Sequence, residues 1–269
     1  MTTRMTHDIE LDRRLAAGAA VAREAGRLAR RYFERRADLT VEVKGPQDLV
    51  SVADRAVEDL IRARLSALFP EDTVVGEEAG GLAASRVWVV DPIDGTQNFL
   101  RGLPWFGVVL ALMVDGRTEL GIIYDPNTDE LYTARRGGGA FLNGESIRVS
   151  GCAELGKAVI GVGHSPRHAP HLFLEPFTAV IEAGAQTRNL LTAALQLAHV
   201  ACGRLDATWD PYLLPWDVLA GILLVEEAGG AAAPYRLRPD FSGGASLLAG
   251  TAALVDALRP LVTDRADKE

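Results

Sequence analysis

Cysteine is nearly missing from this chain of 269 residues: Cys152 and Cys202 are its only thiols. Two thiols in a chain of this length do not make a disulfide framework. An excess of positive charge is missing too, with 28 Lys and Arg against 36 Asp and Glu and a net charge of −8. That balance argues against duplex nucleic acid or an anionic membrane as the main partner. No run reaches the ~18 apolar residues of a membrane span. The opening "MTTRMTHDIELDRRLAAGAA" has no apolar core of the kind a signal peptide carries. A cytoplasmic protein is therefore expected. Neither an internal repeat nor a low-complexity linker interrupts the chain.

What is present is a globular composition, 48% hydrophobic and 24% charged, long enough for a large core or two coupled subdomains. Two helical patterns come first. Leu11, Leu15, Ala19, Ala22, Leu28 and Phe33 share a stripe between about Ile9 and Arg36, and Val52, Val57, Leu60, Ile61, Leu65 and Leu68 share another between Asp48 and Phe69. Pro70 ends the second. Between them "LTVEVKGPQD" alternates like a short strand with a turn. From Thr73 short β-branched runs take over, and Asn143-Gly144 marks a hairpin. The second half returns to alternation: strand "AVIGVG", helices near Pro170–Gly184 and Thr192–Cys202, strand "LDATWD", and a helix over Pro215–Ala228 stopped by Gly229-Gly230. The pattern predicts an α/β (α+β) layered sandwich of two subdomains, residues 1–150 and 151–269.

Acids gather at the ends of apolar elements. Glu77 and Glu78 follow "TVVG", Asp91 and Asp94 follow "VWVV", and Asp217 opens an apolar helix behind Trp216. Buried carboxylates repel one another and are costly to desolvate, so a cation is expected among them. Oxygen donors without a His or Cys cluster favour Mg²⁺ or Mn²⁺ over zinc. Pro92 restrains its neighbours and Gly95 permits a sharp turn, a geometry that aims both Asp side chains and the Ile93 carbonyl at one point. The Gly95 and Thr96 amides then face a phosphate. The plainer alternatives are turn acids at strand ends, and a helix-capping Asp217 with Pro215 in the first turn.

Taken together, "GEE", "DPIDGTQNF" and "PWDVLAGILLVEEAGG" resemble the inositol monophosphatase family. The similarity extends to "KGPQDLVSVAD" and "YTARRGGGAFLNGESIRVS", and so spans nearly the whole chain. It implies the αβαβα sandwich of the inositol monophosphatase and fructose-1,6-bisphosphatase type, and a Mg²⁺-dependent, Li⁺-sensitive phosphomonoesterase, usually dimeric. Two to three ions per subunit are implied, with Mn²⁺ as a substitute. Glu77, Asp91 and the Ile93 carbonyl would hold one ion; Asp91, Asp94 and Asp217 a second; a third, weaker one would sit near Glu77. Thr96, paired with Asp54, would polarise the attacking water beside Glu77. Gly95, Thr96, Thr192 and Ala193 would contact the phosphate ester, and Asp210 a hydroxyl of the leaving group. Leu191 departs from the family's usual glycine, which puts the polyol pocket in question. For Asp210 a surface turn acid is the alternative.

Inositol 1-phosphate is the expected substrate, with histidinol phosphate as the alternative. A degenerate phosphometabolite-binding regulator is a reading from a different class, against which the intact acid set speaks. A haloacid dehalogenase site is excluded because its acids are two apart, and a cysteine phosphatase because neither thiol has arginine six residues on. His164, His168 and His171 match no zinc spacing and are expected on a loop near the site entrance, where His164 or Arg167 touches substrate. His199 and the stripe Leu190, Leu191, Ala194, Leu195, Leu197, Ala198 read as helix core. "RRGGGAF" lacks a nucleotide-loop spacing and reads as a turn.

Overall fold

The computed structural model describes residues 2–38, 41–45, 48–81, 84–164 and 169–262. The turn read at Pro46-Gln47, Arg167, His168 and the tail 263–269 lie outside them. Helix α1 (Thr2–Glu34) leads into the antiparallel pair β1 (Val41–Gly45) and β2 (Asp48–Ser51), then α2 (Val52–Leu68), β3 (Thr73–Gly76), β4 (Arg86–Asp94) and α3 (Thr96–Arg101). A meander follows: β5 (Gly107–Val114), β6 (Arg117–Asp125), β7 (Glu130–Arg135), β8 (Gly139–Leu142) and β9 (Glu145–Ser146). The rest of the chain gives β10 (Val159–Val162), α4 (His171–Glu182), β11 (Gln186–Arg188), α5 (Ala193–Ala201), β12 (Ala207–Leu213), α6 (Pro215–Glu227), β13 (Ala231–Ala232), β14 (Ala245–Gly250) and α7 (Ala252–Val262).

Strands β3 to β9 form a seven-stranded sheet in sequence order, antiparallel except for β3 beside β4. A five-stranded sheet has the order β11-β10-β12-β14-β13. Strand alternation assigns the faces. In β4, Trp88 and Val90 pack with Val21, Ala25, Val57 and Ile61 of α1 and α2, whereas Val87 and Val89 pack with Leu195 and Leu197 of α5 and Val218 and Leu223 of α6. In β14, Leu247 and Ala249 join that same central layer, while Leu248 packs with Val180 of α4 and Leu254 and Leu258 of α7. The order of layers is α1/α2, large sheet, α5/α6, small sheet, α4/α7. This is the expected αβαβα sandwich.

Local signals explain the joints. Asn143 and Gly144 both take positive φ, 49° and 88°, in the turn between β8 and β9, as an Asn-Gly hairpin requires. The second helix does not begin at Asp48, however. Asp48–Ser51 pairs with Val41–Gly45, and Ser51 caps α2 in a reciprocal box with Asp54, so the chain stays extended until the cap. Nor do Leu190 and Leu191 belong to a helix core: α5 starts at Ala193, and Leu191 is 52% exposed with φ 54°. That φ lies in the region glycine favours. At the far end of the large sheet the buried Arg14 bonds Asp72 at 2.9 and 3.1 Å and Glu71 at 2.7 Å, and Trp88 Nε1 donates to Asp72 at 3.2 Å.

Candidate active site

Strand β4 does not stop before its acids. It runs through Asp91 and Asp94, and the pairing register with β5 slips between them, from Asp91 opposite Val109 to Asp94 opposite Gly107. Pro92 and Ile93 sit in that slip, where the missing proline N–H takes no ladder bond. Gly95 then adopts φ 95° and turns the chain into α3. A β-carbon there would press on the Trp105 carbonyl and on Thr192. The Asp91 carboxylate accepts the Ile93 amide at 2.9 Å, which fixes the side chain against its own turn.

The structure brings Asp91 and Asp94 together with Asp217, one carboxylate oxygen from each lying within 4.8 Å of the others. Asp217 arrives from the first turn of α6, where its other role is visible: it accepts the Leu214 amide at 2.8 Å, behind Pro215. Capping and clustering are thus combined in one side chain. Asp91 and Asp94 are 2% and 7% exposed. Burial holds the Asp91 carboxyl well above the usual range, and the charges of Glu77, Asp94 and Asp217 add to this. Asp94 is pushed up to about 6, by burial, against the opposing pull of the Thr192 hydroxyl and the amides that open α5.

Asp94 is held from a distant part of the chain. Thr192 Oγ1 donates to its Oδ2, and the Ala194 amide reaches the same oxygen at 2.8 Å. Thr192 also caps α5. This bond spans 98 residues of chain, and "LTAA" on its own points only to a helix start. On the other side, Thr96 Oγ1 lies 3.3 Å from Asp54 Oδ1 and 3.0 Å from the Ile93 carbonyl. Asp54 takes two further bonds from Ser51, through its amide and hydroxyl at 2.8 and 2.7 Å. Burial outweighs those bonds and raises the Asp54 carboxyl above its ordinary value.

Asn98, two residues after Thr96, also escaped the sequence reading. Its buried amide donates to the Trp105 carbonyl at 2.8 Å and the Leu190 carbonyl at 2.7 Å, which ties α3 to the loop before Thr192.

Asp210 is no surface acid. It is 6% exposed, accepts the Tyr212 amide at 2.9 Å, and is pushed up to about 7 by burial. Alternation along β12 directs it away from Trp209, which packs on the α4/α7 side. Gly163 lies under it, and a β-carbon there would collide with Asp210 Oδ2. His164 is exposed, with its ring tilted against Phe173 at 5.1 Å between centroids, His171 opens α4, and neither enters a group of metal-capable side chains among the described residues. His199 is part-buried, and its imidazole is lowered by burial and by Arg204.

Three acids, two of them buried, converge on one point. An all-oxygen set of this kind fits a hard divalent cation. Comparison with known proteins agrees: the family model described as "Inositol monophosphatase family" matches residues 10–262. The chain belongs to the inositol monophosphatase family. Its relatives include an inositol-1-monophosphatase of Mesorhizobium japonicum, 43% identical over 88% of this chain and 91% of that one. A Nus factor SuhB of Pseudomonas aeruginosa is 39% identical over 88% and 91%. Among solved structures, the Thermotoga maritima IMPase superposes with a TM-score of 0.85 at 30% identity, covering 95% of this chain and 98% of that one. Membership in this family supports a phosphatase, and a small phosphate ester as its substrate. Among the described residues no helix is long and apolar enough to cross a membrane.

Proposed function

We propose that this protein is a Mg²⁺-dependent phosphomonoesterase whose leading substrate is inositol 1-phosphate. The observation that carries the reading is the cluster of Asp91, Asp94 and Asp217, whose mutual repulsion is relieved by a divalent cation. Glu77, Asp91 and the Ile93 carbonyl would hold one ion, and Asp91, Asp94 and Asp217 another, with a weaker third near Glu77. When bound, such ions supply Lewis-acid activation of water and neutralise charge on the ester oxygens.

The remaining work falls to the chain itself. Thr96 has a single hydroxyl proton and two acceptors within reach, Asp54 and the Ile93 carbonyl. Donation to Asp54 frees the Ile93 carbonyl towards a cation and leaves a Thr96 lone pair to accept from the attacking water. Glu77 would accept the second proton of that water. The Gly95 and Thr96 amides orient the phosphate, with Thr192 and Ala193 along its flank. Because the Thr192 hydroxyl is committed to Asp94, its part is to steady that acid. Asp210 would accept a hydrogen bond from a hydroxyl of the leaving group.

Li⁺ sensitivity, a homodimer and a cytoplasmic location go with this reading. A phosphate-release screen over inositol 1-phosphate, histidinol phosphate, fructose 1,6-bisphosphate and 3′-phosphoadenosine 5′-phosphate tests it. Mg²⁺-dependent turnover fastest on inositol 1-phosphate is expected. A preference for histidinol phosphate would move the substrate assignment, and inactivity on every ester would favour the phosphometabolite-binding regulator.

A further inference from the structure

The turn that carries Glu77 is built around a buried acid on α2. Gly76 and Gly80 exchange both of their main-chain hydrogen bonds, each at 3.0 Å, and close Glu77, Glu78 and Ala79 into a tight loop. Inside it sits the Glu58 carboxylate, on a residue 1% exposed, accepting the Glu78 amide at 2.8 Å and the Ala79 amide at 3.0 Å. Arg62, one helical turn on, bonds Glu58 at 2.7 Å and the Val74 carbonyl at 2.9 Å, and also reaches the Gly80 carbonyl. A β-carbon on Gly76 would collide with the Glu58 carboxylate. From the opposite side the Glu77 amide donates at 3.3 Å to the Val90 carbonyl, directly before Asp91.

Charged pairs one turn apart on a helix usually decorate a solvated face. Here Glu58 is buried and Arg62 is part-exposed, and among the described residues the hydrogen bonds that this pair makes beyond its own helix go to the strand and turn that bear Glu77. The bond from the Glu77 amide to the Val90 carbonyl sets the turn directly beside Asp91, and like charges repel, so a freely hinged turn would swing its acid outwards. We infer that Glu58 and Arg62 are positioning residues, which clamp the turn so that Glu77 stays beside Asp91 ready for Mg²⁺. The inference rests on the proposed role of Glu77 as a ligand. Partners of ligands act in this way by fixing orientation before the ion arrives.

The test compares Glu58→Gln, Gly76→Ala and, as a control on the underlying reading, Glu77→Gln. Glu58→Gln keeps the size of the side chain and removes its charge; Gly76→Ala displaces the carboxylate from the other side. Mg²⁺ binding to the metal-stripped protein is measured by isothermal titration calorimetry, and exchange of the Glu78 and Ala79 amides by hydrogen–deuterium exchange. Both clamp variants should bind Mg²⁺ about 10–100-fold more weakly and exchange those amides faster. Parental Mg²⁺ affinity in Glu58→Gln, with Glu77→Gln impaired, overturns the inference alone. So does a lower urea midpoint with unchanged affinity, the mark of a merely structural role. Parental affinity in Glu77→Gln overturns the ligand reading and the inference with it. Should Gly76→Ala fail to fold, Glu58→Gln decides.

Discussion

Asparagine at position 210 should make the protein more resistant to unfolding at alkaline pH while leaving it little changed in acid. The Asp210 carboxyl moves from an ordinary 3.8 to about 7 because it is buried with the Tyr212 amide as the one bond opposing the shift. A displacement of this size corresponds to about 4 kcal/mol once the group is ionised in both states. The sign follows from linkage: the folded pKa lies above the unfolded one. Below the unfolded value both states hold the proton and the contribution to stability is intact; it is lost as pH rises through the folded value. Between about pH 5 and about pH 8 the parent should lose roughly 2–3 kcal/mol on this account. Asp210→Asn keeps an oxygen for the Tyr212 amide and has nothing to titrate. Any fixed packing cost of the amide is the same at both pH values and cancels. Urea unfolding of both proteins at the two pH values, with chelator present throughout, reads the difference. Parallel pH profiles for parent and variant would refute the argument and show that Asp210 is solvated or paired in solution.

Asp94→Asn should lower Mg²⁺-dependent phosphate release by at least about 100-fold while unfolding stays cooperative, since a neutral amide gives the cation no charge to bind; near-parental kcat would defeat the assignment. Metal-stripped protein should melt lower than the loaded form. Saturation to about a hundred times Kd contributes about 2.7 kcal/mol, or a rise in Tm of about 5–10 °C, and an unchanged Tm would contradict the cluster's role. Asp210→Ala should change the order of substrates in the release screen more than the rate on a generic aryl phosphate; equal losses on all of them would count against contact with the leaving group. Arg14→Met should cost about 1–3 kcal/mol in urea, because Asp72 loses its two bonds to Arg14 but keeps Arg86 at 3.1 Å and the Trp88 indole, with no change in the Mg²⁺ concentration for half-maximal turnover.

The residues that announce themselves in the sequence are those whose chemistry is local. "DPIDGT" shows its proline restraint and glycine turn in six adjacent letters, and "PWD" shows a helix start. The amphipathic stripes of α1 and α2 place two helices on one face of a sheet, and Asn143-Gly144 places a hairpin. What stayed hidden depends on distance or on competing local signals. Thr192 meets Asp94 only once α5 has packed against the large sheet. Glu58 and Arg62 carry no motif, and only the fold buries Glu58 against the turn of Glu77. Asp48–Ser51 continues the apolar stripe of α2, yet the capping box with Asp54 keeps it extended. Strand β14 and helix α7 carry no motif, and Pro260 interrupts the apolar period of α7. Asp210 looked ambiguous because a "WDP" turn says nothing about which side of a strand is covered.

Asp210 lies on β12 and Asp217 in the first turn of α6, so a single stretch of chain links the smaller sheet to the acid cluster. If Asp210 meets the leaving group as proposed, a change of alcohol can be written into β12, while Asp91 and Asp94 on β4 are inherited untouched.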